Sequence, residues 1–505
     1  MRNKKMTPAQ AACLIKDGDT VALTGSGGGL VEPDAVFEAI EQRFKKGEGA
    51  RNLSLVHALG LGDRADRGTN RFAHAGMVHQ VIGGHWTWSP RMQALARAND
   101  MAAYSLPGGV ITHLLREIGA GRPGLITHVG LGTFVDPRNG GGKMNAKADK
   151  DLVELLELDG TEYLRYKPFK VDIGIIRGTF ADEAGNISLE QEPADLDAYV
   201  VALAAHNCGG KVIAQVKEIV PTGQLSPRAI AIPGALIDAV VEVPDQMQTY
   251  RGAFDPSFVS STGPYERPPQ STDCLKRIIA RRAAQELQPG SVLNFGFGAS
   301  AQVASLIEER GISADYWTTV EQGIHGGHMR EDDLFGMAHH PAVIIDTASQ
   351  FDFYSGGGLD MAFLGMAEMD QYGNVNVSKL NGNINGPGGF IDISQNAKTV
   401  VFCGTFDAKH SDLQLADGLL RVKKHGLIRK LVREVAHITF SGQQAVRRGQ
   451  RVLYVTERAT FELTPQGVEL IGVAPGIDVQ GDVLAQMEFE PVVRSVRVYD
   501  AEVMA

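Results

Sequence analysis

A chain of 505 residues that is 43% hydrophobic and 21% charged carries enough apolar material for two or more packed domains, which excludes a disordered protein. Its formal charge of -10, with no long lysine or arginine cluster, argues against nucleic acid or an anionic membrane as the main partner. Four widely spaced cysteines without a CxxC pair, a basic start with no apolar signal core behind it, and the lack of an apolar run of membrane-spanning length point to a reduced, cytoplasmic, soluble protein.

The elements then run as follows. Thr20 to Leu23 reads as a strand, Thr24 to Gly29 as a glycine loop, and the next segment as a helix with Val36 and Ile40 on its apolar face. Leu106-Pro107-Gly108-Gly109 opens another helix, faced by Ile111, Leu114, Leu115 and Ile118. Thr127 to Arg138, dense in glycine with isolated polar residues, is expected to wall a ligand cleft. Phe254 to Thr272, with Pro256, Pro264, Pro268 and Pro269, reads as a linker.

Beyond it, Ser291 to Asn294 is a strand followed by Gly296-Phe297-Gly298-Ala299-Ser300-Ala301 and a helix that ends at Gly311. This imitates a dinucleotide fingerprint, but the acidic ribose partner would fall near Tyr316, with Asp315 only adjacent. A phosphate-bearing ligand over the helix N-terminus is the better reading, since exposed N–H groups and the helix dipole attract anions. Further glycine turns follow at Gly356-Gly357-Gly358 and Gly386-Pro387-Gly388-Gly389-Phe390, and Gln450 to Val498 is rich in strand formers.

The two parts repeat each other. The strands at Thr20 and Ser291 are offset by 271, and Val36, Ile40, Glu41 and Arg43 match Val303, Ile307, Glu308 and Arg310 at an offset of 267. Asp182-Glu183-Ala184-Gly185-Asn186 matches Asp370-Gln371-Tyr372-Gly373-Asn374 at an offset of 188, as does the strand at Lys211 with that at Thr399. The first part therefore carries 79 extra residues between these landmarks, within the stretch from about Gly60 to Phe169. The expected fold is α/β: two tandem, structurally related open α/β domains with mostly parallel sheets, at residues 1–265 and 273–505, joined by a linker at about 254–272.

Chemistry concentrates at Thr319-Val320-Glu321-Gln322-Gly323-Ile324-His325-Gly326-Gly327. A β-prone run ends in a carboxylate and a glycine turn, which presents a side chain at the rim of an open sheet, where it can act as a nucleophile. The turn Gly386 to Phe390 has N–H groups that could face a developing oxyanion. A metal reading of His325, His328, His339 and His340 is weak without an HExxH helix or nearby cysteine, and no GxSxG elbow is present.

Read together, VEQGIHGG, GGGLDMAFLG, GPGGF and THVGLGTFVDPR resemble the family I coenzyme A transferases, in particular the fused acetate and propionate subgroup, from about Lys16 to Phe489. The resemblance implies an α-like half followed by a β-like half, with Glu321 as nucleophile and Gly388 and Gly389 in the oxyanion-hole turn. Gly108 stands where relatives often place a glutamine whose amide serves that hole. Gly296, Gly298, Gly323, Gly357, Gly358 and Phe390 are the expected coenzyme A contacts. It implies coenzyme A as substrate and covalent intermediate with no tightly bound cofactor, acyl-CoA and short-chain carboxylic acids as partners, and a homo-oligomer, a homotetramer by resemblance. The rival readings are an acyl-carrier-dependent lyase α subunit and a non-catalytic ligand-binding relative.

Overall fold

The computed structural model describes residues 4–267, 273–331 and 333–505. Pro268, Pro269 and Thr272 of the expected linker lie outside the described residues.

The first half is built on a sheet of eight strands: β1 (Lys5–Met6), β2 (Thr20–Leu23), β3 (Leu53–His57), β4 (Val78–Gly83), β5 (Ala102–Ser105), β6 (Ile173–Arg177), β7 (Lys211–Val216) and β8 (Ala239–Glu242). Their order is β1-β8-β7-β6-β2-β3-β4-β5, and every pair is parallel. Such a sheet is covered on both faces, so its strands read as continuous apolar runs; β3 and β6 are buried at every position. Helix α1 (Asp34–Lys45) turns Val36, Phe37 and Ile40 to the core. Helix α2 (Gly108–Gly119) is buried along nearly its whole length, because it packs on α3 (Ala198–Asn207) on one side and on a helix of the second half on the other.

The second half holds β9 (Val292–Phe295), β10 (Trp317–Val320), β11 (Ile324–His325), β12 (Val343–Ile344), β13 (Met361–Gly365), β14 (Thr399–Cys403), β15 (Arg451–Val455), β16 (Ala459–Thr464), β17 (Gly467–Val473) and β18 (Val492–Val498). Their order is β12-β11-β10-β9-β13-β14-β15-β16-β17-β18. The central five, in the order β10-β9-β13-β14-β15, are parallel, whereas β11 and β12 are antiparallel additions beside β10. Its helices include α4 (Ala301–Glu309), which packs within this half, and α5 (Thr347–Phe353) and α6 (Phe390–Asn396), which meet α2 at the seam.

The internal repeat is visible in both sheets. The run β7-β6-β2-β3 has the same order and direction as β14-β13-β9-β10. The paired turns agree bond for bond: Asp182 Oδ1 accepts from the N–H groups of Ala184 and Asn186, and Asp370 Oδ1 accepts from those of Tyr372 and Asn374. In each, the asparagine amide returns to the same aspartate's Oδ2. The carboxylate holds the loop that an Asp-x-x-Gly-Asn spacing calls for.

Candidate active site

Glu321 follows the last residue of β10, at the carboxyl edge of the parallel strands where open α/β sheets bind ligands. It is half-buried. Burial pushes its carboxyl up to about 7, against the lowering effect of its own N–H and the Asn294 amide. Asn294, fully buried on neighbouring β9, also donates from Nδ2 to the Tyr354 hydroxyl at 3.1 Å, and that hydroxyl pairs with Thr319 Oγ1 at 2.8 Å. Glu321 thus stands on a fixed polar shelf. Sequence reading missed Asn294 and Tyr354; an asparagine inside an otherwise apolar strand was the available signal.

The turn before α6 meets the first half here. Gly388 donates its N–H to Gly84 O at 2.8 Å and accepts from Gly108 N at 2.7 Å, while Trp86 N donates to Asn385 O at 2.8 Å. A Cβ on Gly386 would stand 2.4 Å from Gly84 O, and one on Gly389 would stand 3.3 Å from Glu321 Cγ. Two chain segments from opposite halves therefore cross at backbone contact beside the carboxylate, which only glycine permits. The N–H groups of Gly388 and Gly108 are both spent in this crossing. The Gly389 N–H has no protein acceptor among the described residues, and Gly389 lies nearest Glu321.

The seam is also pinned by charge. Asp392, in the first turn of α6 and 1% exposed, accepts from Gly109 N at 3.2 Å, so it caps α2 from the other half. Burial pushes its carboxyl up to about 7. Asp352 of α5 pairs with Arg116 and His113 of α2, which hold it well below the usual carboxylate range. The stretch from Thr127 to Arg138 docks on α6 and does not stand open: Gly130 N and Leu131 O bond the Gln395 amide, and His128 Nε2 bonds Asn396. The expected cleft wall is an interdomain contact.

The expected coenzyme A contacts divide. Gly298 and Gly357, at φ 97° and 91°, have nothing within 4 Å of a Cβ position and border open space. Gly296 extends β9, its N–H bonded to Phe363 O at 2.8 Å. Gly323, Gly358 and Phe390 face protein: a Gly323 Cβ would lie 1.9 Å from Ile345 O, Gly358 lies against the Phe353 ring, and Phe390 stacks on Phe402. At these three positions the near neighbours are protein atoms. His325 accepts from Trp317 Nε1 at 2.7 Å and bonds Gln350 at 2.6 Å, so both its nitrogens are occupied. Among the described residues no cluster could hold a metal.

The first glycine loop is held by Glu32, 1% exposed, which accepts from Gly62 N and the Tyr250 hydroxyl, each at 2.8 Å. Burial pushes its carboxyl up to about 8.

Comparison with known proteins agrees with this geometry. Residues 5–243 match the family model described as Coenzyme A transferase. The acetate CoA-transferase YdiF of Escherichia coli K12 is 43% identical over 490 residues, covering 97% of this chain and 92% of the relative. The chain belongs to the coenzyme A transferases. Caffeate CoA-transferase of Acetobacterium woodii is also 43% identical, over 97% of this chain and 95% of its own. The crystal structure of YdiF from E. coli O157:H7 in a thioester complex with CoA superposes with a TM-score of 0.94 at 41% identity, covering 100% of this chain and 96% of that one. This transferase shares only its fold with the α subunit of a malonate decarboxylase from Acinetobacter baumannii, 14% identical with a TM-score of 0.57 over 92% of this chain and 82% of that one. Among its described residues no helix is long and apolar enough to cross a membrane.

Proposed function

We propose that this transferase moves coenzyme A between a short-chain acyl-CoA and a free carboxylic acid of the acetate or propionate type by a ping-pong route through a glutamyl-CoA thioester on Glu321. The observation that carries the reading is a half-buried carboxylate at the rim of β10 with the unspent Gly389 N–H beside it. Glu321 attacks the acyl-CoA carbonyl and expels CoA thiolate, leaving an acyl-glutamyl anhydride. The thiolate attacks the glutamyl carbonyl, the first acid leaves, and the thioester remains. The incoming carboxylate reverses both steps, and Glu321 is released. The covalent route conserves the thioester's free energy, provided water is kept out. Each addition forms an oxyanion, and one well-placed donor there lowers the barrier by about 3 kcal/mol.

Gly298 and Gly357 are the expected contacts for the bound coenzyme, which is substrate and not a tightly held cofactor. The enzyme works as a cytoplasmic homo-oligomer, a homotetramer by its resemblance to the fused subgroup. Acetate and caffeate enzymes are equally identical to this chain, so the acid's size is the open specificity. Incubation of the purified protein with acetyl-CoA and a panel of free acids tests the reading. Propionyl-CoA formed without a carrier protein supports it; formation only with an acyl carrier would favour the lyase-type reading, and no exchange at all a non-catalytic relative.

A further inference from the structure

The glycine crossing leaves the oxyanion of the proposed reaction short of donors. Gly388 and Gly108 spend their N–H groups on each other's segments, and only the Gly389 N–H remains. Gly108 carries no side chain that could supply another. An acyl-transfer oxyanion is ordinarily met by more than one donor.

One polar side chain stands at this crossing from the first half. His85 lies between Gly84, whose carbonyl accepts from Gly388, and Trp86, whose N–H reaches Asn385, so its backbone is fixed on both sides by the second half. Its Cδ2 lies 3.7 Å from the Cβ position of Gly388, while Glu321 Cγ lies 3.3 Å from that of Gly389. His85 and Glu321 therefore flank one peptide unit. The ring is half-buried, and neither nitrogen has a partner nearer than Thr87 Oγ1, 3.4 Å from each, at the limit of a hydrogen bond. Neighbouring His57 differs: its Nδ1 is fully engaged with Leu59 O at 2.7 Å.

We propose that His85 contacts the substrate, donating its ring N–H to the acyl oxygen that becomes the oxyanion and to a carboxylate oxygen of the incoming acid. Burial, with smaller contributions from His57 and Arg64, pushes the imidazole down to about 4, so the donor is neutral at working pH and cannot trap the acid as an ion pair. With the Gly389 N–H it makes a two-donor hole, one donor from each half of the chain. The inference rests on the transferase reading given above.

The test compares wild type, His85→Ala and His85→Asn in acetyl-CoA:propionate exchange, with thermal melting and affinity for desulfo-CoA measured in parallel. Loss of one such donor costs about a hundredfold or more where it is fully engaged. His85→Ala should therefore lose about ten- to a hundredfold in kcat/KM for both substrates, with melting and desulfo-CoA affinity unchanged; His85→Asn, which keeps an N–H, should recover a substantial part. Exchange within twofold of wild type in His85→Ala overturns the proposal while leaving the transferase reading intact. Equal losses in the Ala and Asn variants also overturn it, since they assign His85 to structure. A wild-type protein without exchange overturns both readings.

Discussion

At the scale of single residues, Glu321 has conflicting requirements. In the proposed reaction it must be charged to attack, yet a site that excludes water raises the cost of the charge, and its carboxyl is pushed up to about 7. The exchange rate at limiting acyl-CoA should therefore rise through about pH 7 and fall about tenfold per unit below it, as the protonated acid replaces the nucleophile; a pH profile of kcat/KM checks this. Glu321→Gln keeps the shape but removes the nucleophile, so melting should be preserved while exchange falls by many powers of ten. Glu321→Asp withdraws the carboxylate by about 1 Å and should lose about a hundredfold or more. Wild type given acyl-CoA alone should carry CoA on the Glu321 peptide by mass spectrometry. An adduct on Cys403 would contradict the mechanism, and burial already disfavours it by pushing that thiol up to about 12.

At the scale of elements, the loops that meet at the cleft are held by buried carboxyls. Glu32 secures the first glycine loop, and its folded value of about 8 lies above the ordinary 4.5. Between those values the native chain keeps a proton that the unfolded chain has released. The stabilising contribution is full below about pH 4.5 and is lost as pH rises through 8. Glu32→Gln, which still accepts from Gly62, should flatten the fall in melting temperature between pH 5 and 8. Asp392→Ala uncaps α2 and leaves the Gly109 N–H without its acceptor; a loss of about 1–3 kcal/mol in denaturant titration is expected, with slower exchange because Gly389 and α6 lose their anchor.

At the scale of the whole molecule, the candidate site draws on both halves. Glu321, Asn294 and Gly389 come from the second, whereas Gly84, His85 and Gly108 come from the first, and the crossing bonds join them. Residues 1–265 and 266–505 expressed apart should each be inactive, with exchange returning only on mixing. An active C-terminal fragment would show that the first half is dispensable. The many glycines at the seam are the consequence of bringing two sheet edges within backbone contact, where a Cβ on either chain would collide.

The sequence alone determined the periodic and local features. The offsets of 271, 267 and 188 already implied two related α/β halves, because strand, glycine turn and helix are encoded within a few residues of each other. The paired Asp-x-x-Gly-Asn turns were legible for the same reason, and Glu321 stood out as a carboxylate ending a strand. Tertiary structure decided what depends on distant partners. Whether a glycine N–H is free or spent is set by the segment it meets: Gly388 and Gly389 look alike in sequence, yet Gly84 takes the N–H of one and not of the other. Thr127 to Arg138 read as a cleft wall because its glycines and polar residues suit either a ligand or a docking partner, and only α6 resolved which. Tyr354, His85 and Asp392 carry no local signature, and Asn294 only that of a polar residue within an apolar strand, since what surrounds each is set by neighbours far away in sequence.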